Sequence, residues 1–402
     1  MRKLAFSVAV ILALLAWLSH SKRTWVVFAQ GPVTYTFDTY ATYQFNTLKH
    51  PTGLVASSGQ LFIADTDNNL IRQFYNGNLS VVAGNGQAGY VDGPVTSAEF
   101  NDPTWLQGGT FVWTERSTIC DANCPDPSCP RSCYPVINHP YTQLYVSDSE
   151  NYVVRMVCSG DPPVGGACNS SITNTVTTVA GNHAQGYVDG ASLSAEFAPL
   201  LGLSGTASTP SSSSPFYLAD PANNLIRSWD SSNVGTFAGT GTHGLVNGYR
   251  TSAQFGAPTK MAWDGNGNMY VTDAYNFVIR KIDTAGHVIT FAGSGSPGFT
   301  DGQGSGAQFT YPGDILFNAA DGYFYITDSG NNAIRRMDVY GNVTTYAGAK
   351  QGGYVDGSLL QARFQSPTGL AIYTGYLYVA DTMNNVIRRI DMNAGQVSTY
   401  IN

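Results

Sequence analysis

Charge is what this sequence has least of. Only 12% of its 402 residues are Asp, Glu, Lys or Arg, and past residue 29 lysine occurs only as Lys49, Lys260, Lys281 and Lys350. A surface that grips a phosphate backbone needs clustered Lys and Arg to release counterions, so a nucleic-acid partner is excluded. Long apolar runs are missing too. The longest, Leu4–Leu18, has fifteen residues, short of the ~20 that cross a bilayer. The histidines past the N-terminus, His50, His139, His183, His243 and His287, are scattered, and no His-x-His, His-Glu-x-x-His or Gly-x-Ser-x-Gly elbow occurs. No catalytic, cofactor-binding or metal-binding residue and no cofactor is therefore expected.

What the N-terminus does have is Arg2 and Lys3 before that short apolar run, then Val27 and Ala29 in "VFAQ". This is the form of a secretory signal over residues 1–29, with cleavage after Ala29. An uncleaved signal that anchors the chain in a membrane is the alternative. The mature chain keeps 16 basic residues against 27 acidic ones, a net charge of −11. It has no membrane span, and the expected localisation is secreted. Six cysteines suit export: Cys120, Cys124, Cys129 and Cys133 in "CDANCPDPSCPRSC", and Cys158 with Cys168 around "SGDPPVGGA". The even count points to disulfides, Cys158–Cys168 as a local staple. The x3, x4, x3 spacing of the tetrad differs from paired Cys-x2-Cys zinc sites.

The chain is also rich in glycine (44) and tyrosine (24), and it repeats itself. "YVTDAYNFVIRKID" from Tyr270, "YITDSGNNAIRRMD" from Tyr325 and "YVADTMNNVIRRID" from Tyr378 are near-copies. Weaker copies start at Phe62, Tyr145 and Tyr217, making six. The anchoring aspartates, Asp65, Asp148, Asp220, Asp273, Asp328 and Asp381, are spaced 83, 72, 53, 55 and 53 residues apart. The base period is thus 53 to 55, with extra residues in the first two intervals. Each unit holds short runs rich in Val, Ile, Tyr and Phe, broken by Gly, Asn and Asp, which read as strands and turns. Four strands per unit and no helical period predict an all-β fold, a six-bladed β-propeller occupying residues 51–402 after a lead-in over residues 30–50.

The unit, "PTGLAI", then "LYVADTMNNVIRRID", then "VSTY", resembles the NHL repeat, with Asn-Asn-x-Ile-Arg where the founding motif has Asn-His-Arg-Ile. The likeness runs from about Pro51 to Tyr400. It implies a six-bladed propeller of four-stranded blades. The family's propellers include protein-binding and RNA-binding modules, extracellular domains of adhesion proteins and a related peptide-amidating lyase, so the resemblance implies a fold more than a function.

With strands a to d counted outward, loops a–b and c–d share one face of the ring. The irregular material falls there: about 107–141, 158–174 and the Ser-rich 204–215. So do the three Asn-x-Ser/Thr sequons at Asn78, Asn169 and Asn342, which are expected to carry glycans. The other face is monotonous. Its aspartates occur once per blade, whereas catalytic residues are normally unique, so they read as turn residues that bond the following N–H groups. Arg72, Arg155, Arg227, Arg280, Arg335 and Arg388 recur on strand c and are expected to bridge neighbouring blades. Gly293, Gly295 and Gly298 mimic a dinucleotide fingerprint but lack the following helix.

Ring closure leaves two readings. "VTYTF", Val33–Phe37, looks like a d strand, and Phe45 looks like the Phe that precedes each Pro-x-Gly-Leu. The strand either pads the outer edge of blade six or pairs with the edge of another subunit. The sequence therefore predicts an extracellular binding or structural module acting through protein–protein contacts, including self-association. A metal-dependent propeller lyase or hydrolase with an axial site, and a carbohydrate-binding propeller, are the alternatives.

Overall fold

A computed structural model describes residues 25–28, 32–35, 47–115, 137–160, 168, 173–205 and 209–402. The chain divides into two units, residues 1–47 and 48–402. In the first, Trp25–Phe28 pairs antiparallel with Pro32–Tyr35 as a two-stranded hairpin. Val33 to Tyr35 thus has a partner strand within its own chain.

The second unit is the propeller. Each phrase folds as strand b, a one-turn 3-10 helix and strand c. In blade six these are Tyr376–Asp381, Thr382–Asn384 and Val386–Asp391. Strand a (Pro367–Tyr373) lies inside them and strand d (Gln396–Ile401) outside. Strand b is buried over five of its six residues, as expected for a run sandwiched between two blades. The residue after each 3-10 turn is left-handed, with φ between 53° and 59°. Asn69, Asn224, Asn332 and Asn385 suit that conformation. Tyr152 and Phe277 hold it in blades two and four, so turn context overrides residue preference there.

Blades two to six have a fifth strand that the period does not reveal. The connector leaving one blade lays two residues along strand d of the next before turning to the axis. These are Gly93–Pro94, Gly190–Ala191, Gly248–Tyr249, Gly302–Gln303 and Gly357–Ser358. At the outer edge of blade six, Gly357–Ser358 pairs with Gln396 and Val397 of strand d. Blade one is the four-stranded blade.

Phe100, Phe255, Phe309 and Phe364, each three residues before an inner-strand proline, are fully buried. In blade one that position belongs to Leu48, 3% exposed and packed with Leu54, Ile63 and Tyr378. The expectation for Phe45, which lies outside the described residues, is off by three positions. Blade two differs as well. Its strands a and b extend to Pro103–Glu115 and Ile137–Asp148, so much of the stretch expected to be irregular is a long hairpin.

Blades six and one meet directly. Leu54, Leu61 and Ile63 share a core with Ala371, Ala380 and Ile387. Thr382 Oγ1 donates to Pro51 O at 2.8 Å, and the His50 N–H donates to Asn385 Oδ1 at 2.8 Å. Thr66 and Ser329 hydroxyls likewise donate to Pro103 O and Pro367 O of the following blades. The closure is one more copy of a repeated contact.

Candidate functional site

The repeated aspartates form a network. Every one is fully buried, and each accepts three kinds of donor. In blade five, Asp328 Oδ1 takes the Thr310 N–H at 2.7 Å, while Oδ2 takes Asn331 Nδ2 at 2.8 Å and Arg335 Nη1 at 2.8 Å. Equivalent sets surround Asp65, Asp148, Asp220, Asp273 and Asp381. The matching amides belong to Lys49, Asn101, Ala198, Gly256 and Gln365. Burial pushes the carboxyls of Asp148, Asp220 and Asp328 up to about 6, against the pull of these donors.

The arginines do not bridge blade to blade. Arg335 Nη1 and Nη2 donate to Gln308 O and Thr300 O of the connector, and Nη2 pairs with Asp301 at 2.7 Å. Arg155, Arg227 and Arg388 repeat this with Asp92, Asp189 and Asp356, and Arg280 with Asn247. The same acids bind the Thr of strand d, as Asp356 does with Thr399. Each buried arginine thus clamps the incoming connector onto its blade. Among the described residues Arg72 meets Asp65 at 3.1 Å, and the lead-in to blade one lies largely outside them. Val81 stands at the Thr position of that blade and is 43% exposed. All twelve of these charged side chains are buried, and each Asp bonds the Arg of its own blade.

Cys158 and Cys168 form a disulfide. Cys120, Cys124, Cys129, Cys133 and Asn169 lie outside the described residues. Asn78 and Asn342 are exposed at the starts of the d strands of blades one and five. His50 pairs with Asp67 at 2.7 Å, His183 stacks on Tyr90, and His287 faces Asp283. Among the described residues no three His, Cys, Asp or Glu gather as a metal site, and no helix is long and apolar enough to cross a membrane.

Two features stand out as candidate binding surfaces. The connector face carries half-exposed apolar pairs, Tyr90–Val91, Tyr187–Val188, Leu245–Val246 and Tyr354–Val355, each side chain between 39% and 57% exposed. Tyr275, Tyr311 and Met383 add to the same face. The second feature is the axial channel, a cavity of about 340 Å³ lined by all six inner strands. Two residues after the inner-strand proline, blades one and six have Gly53 and Gly369, and blade three has Gly202 at the same level. A Cβ on any of these would collide with the neighbouring strand. Blades two, four and five have Trp105, Lys260 and Asp314 instead. Lys260 Nζ donates to Leu203 O at 2.8 Å and sits 4.5 Å from the centre of the Trp105 ring. Asp314 Oδ2 accepts the Leu370 N–H at 2.7 Å, while its buried Oδ1 has no partner. Burial pushes the Asp314 carboxyl up to about 6 and the Lys260 amine down. The sequence analysis passed over these residues. The available signal was "PTWL", "PTKM" and "PGDI" standing where blades one and six read "PTGL" and blade three reads "LLGL".

The NHL repeat family matches residues 48–74, the inner three strands of blade one. Protein SUPPRESSOR OF QUENCHING 1, chloroplastic, of Arabidopsis thaliana is 28% identical over 377 residues, 88% of this chain and 31% of that protein. NHL repeat-containing protein 2 of Homo sapiens is 35% identical over 89 residues, 22% of this chain and 12% of that protein. The chain therefore spans less than a third of these relatives. Among solved structures, an auxiliary nutrient binding protein from Bacteroides thetaiotaomicron superposes with a TM-score of 0.55 at 14% identity, covering 88% of this chain and 70% of that one, a likeness of fold. The family match on blade one, relatives that carry the same repeat, and six blades built on one Asp–Asn–Arg pattern make this chain an NHL-repeat β-propeller.

Proposed function

We propose that this propeller is an exported binding module that docks a protein, a second copy included, on its connector face. The observation that carries this is the ring of half-exposed Tyr, Val and Leu side chains on that face. Single exposed apolar residues are ordinary, but a repeated set on one face marks an interaction surface. Its backbone is preorganised, because buried arginines hold Val91 O, Val188 O, Val246 O and Val355 O. A rigid surface loses less entropy on docking. Glycans on Asn78 and Asn342 would sit on the opposite face, where they leave docking unobstructed. The Cys158–Cys168 bond suits an oxidising compartment.

The test is light scattering with intact mass on the protein recovered from the medium of a secreting culture, beside a Tyr187→Asp/Val188→Asp variant. Both side chains are solvent-facing, so the variant should fold. The expected result is a glycosylated species that self-associates or retains a co-purifying protein, with the variant monomeric and bare. Intracellular retention without glycan would refute the export. A monomer that behaves identically with and without the substitutions would refute the docking face.

A further inference from the structure

The channel places one positive and one negative group inside a ring that is otherwise apolar at this level. Lys260 stands on the inner strand Pro258–Trp263 and Asp314 on the adjacent Pro312–Asn318. An ammonium has three N–H donors. One goes to Leu203 O, and no other acceptor lies within hydrogen-bond distance among the described residues. Asp314 is 2% exposed, and apart from the adjacent Ile315 amide beside the carboxylate its Oδ1 has no donor. The two attract each other through space, yet no ion pair joins them. A buried polar atom without a partner costs about 1–3 kcal/mol. This pair, which the repeat does not require, is left open on both sides of a gap.

We infer that the channel is a small-molecule site and that its ligand is a free α-amino acid with an apolar side chain. A carboxylate alone would bring a net negative charge beside Asp314, and an amine alone a net positive charge beside Lys260. A dipolar ion leaves the buried site neutral. Its carboxylate accepts from the two remaining Lys260 N–H groups, and its ammonium donates to Asp314 Oδ1. The side chain lies on Val55, Leu316 and Ile372, which line the same cavity and are half-buried. Ser204 does not compete, because its hydroxyl is committed to Met261 O at 2.9 Å.

The full-length protein is titrated by calorimetry with L-leucine, with isovalerate and isoamylamine as the analogues that lack one charged end each. L-Leucine is expected to bind with a Kd below about 1 mM, and both analogues about tenfold or more weakly. Asp314→Asn keeps an acceptor for the Leu370 N–H and should lose affinity by about tenfold or more. The double variant Lys260→Met/Asp314→Leu replaces the buried charges by apolar groups of similar size, a change proteins tolerate. It should melt as a folded propeller and bind no L-leucine. No heat with L-leucine, equal binding of either analogue, or undiminished binding by the double variant would overturn the inference. None of these outcomes bears on the connector face, which is a separate surface.

Discussion

Replacing Arg335 by Met tests the claim that the buried arginines are clamps. In the folded protein the Arg335 guanidinium joins Asp328, Gln308 O, Thr300 O and Asp301, and lies 5.0 Å and 5.2 Å from the Phe299 and Phe309 rings. Removing one partner of a buried pair leaves an uncompensated charge and costs about 3–5 kcal/mol. Here the substitution also leaves two connector carbonyls without their donor, which places Arg335→Met near the upper end of that range. Arg72→Met is the internal control. It leaves Asp65 in the same buried position, but Arg72 holds no connector carbonyl among the described residues. Its expected cost is therefore lower, about 3 kcal/mol. Urea unfolding of both variants beside the parent, with slopes compared to check that the unfolded states match, gives the difference. A double variant, Asp328→Leu/Arg335→Met, leaves no stranded charge but still lacks the connector bonds, so it should recover only part of the loss. If the double variant recovered the full stability of the parent, the connector bonds would carry no net stability and the clamp would be wrong.

The Asp314 carboxyl, held at about 6 by burial, sets a pH dependence. Between about 4 and 6 the folded protein binds a proton that the unfolded chain has released, so stability falls as pH rises through that window and is flat above it. The share of Asp314 is at most ~3 kcal/mol, and urea midpoints at pH 4.5, 5.5 and 7 should show a smaller fall in Asp314→Asn than in the parent, the remainder belonging to Asp148, Asp220 and Asp328. Gly369→Ala should destabilise the junction of blades six and one severely, by more than ~3 kcal/mol, because the added Cβ would lie 1.8 Å from Thr52 O. Its readout is a lowered melting temperature, against little change for Gly265→Ala, where nothing lies within 4 Å of the Cβ. Cys158→Ser/Cys168→Ser opens a loop with a sequence separation of 10 and should cost about 2–3 kcal/mol in the same urea assay.

The sequence by itself determined the number of blades, the strands within them and the residues at each turn. Asp328, Asn331 and Arg335 are close in the chain and act within one blade. Six repetitions of that local grammar make it readable without a structure. The resemblance to the NHL repeat rests on the same short-range phrase. Tertiary structure decided everything that depends on one blade meeting another. The fifth strands are two-residue pieces such as Gly93–Pro94, too short for any periodicity, and they exist only because strand d of the next blade offers them partners. Leu48 replaces the phenylalanine of the other connectors because the pocket accepts an apolar side chain at a fixed distance from Pro51, whatever its chemical type. Thr382 and Pro51 are 331 residues apart and bond because the ring closes. Lys260 and Asp314 look like single departures from "PTGL" in separate repeats. The propeller alone turns both toward one axis, where burial and the lack of partners give them a chemistry that neither has in the sequence.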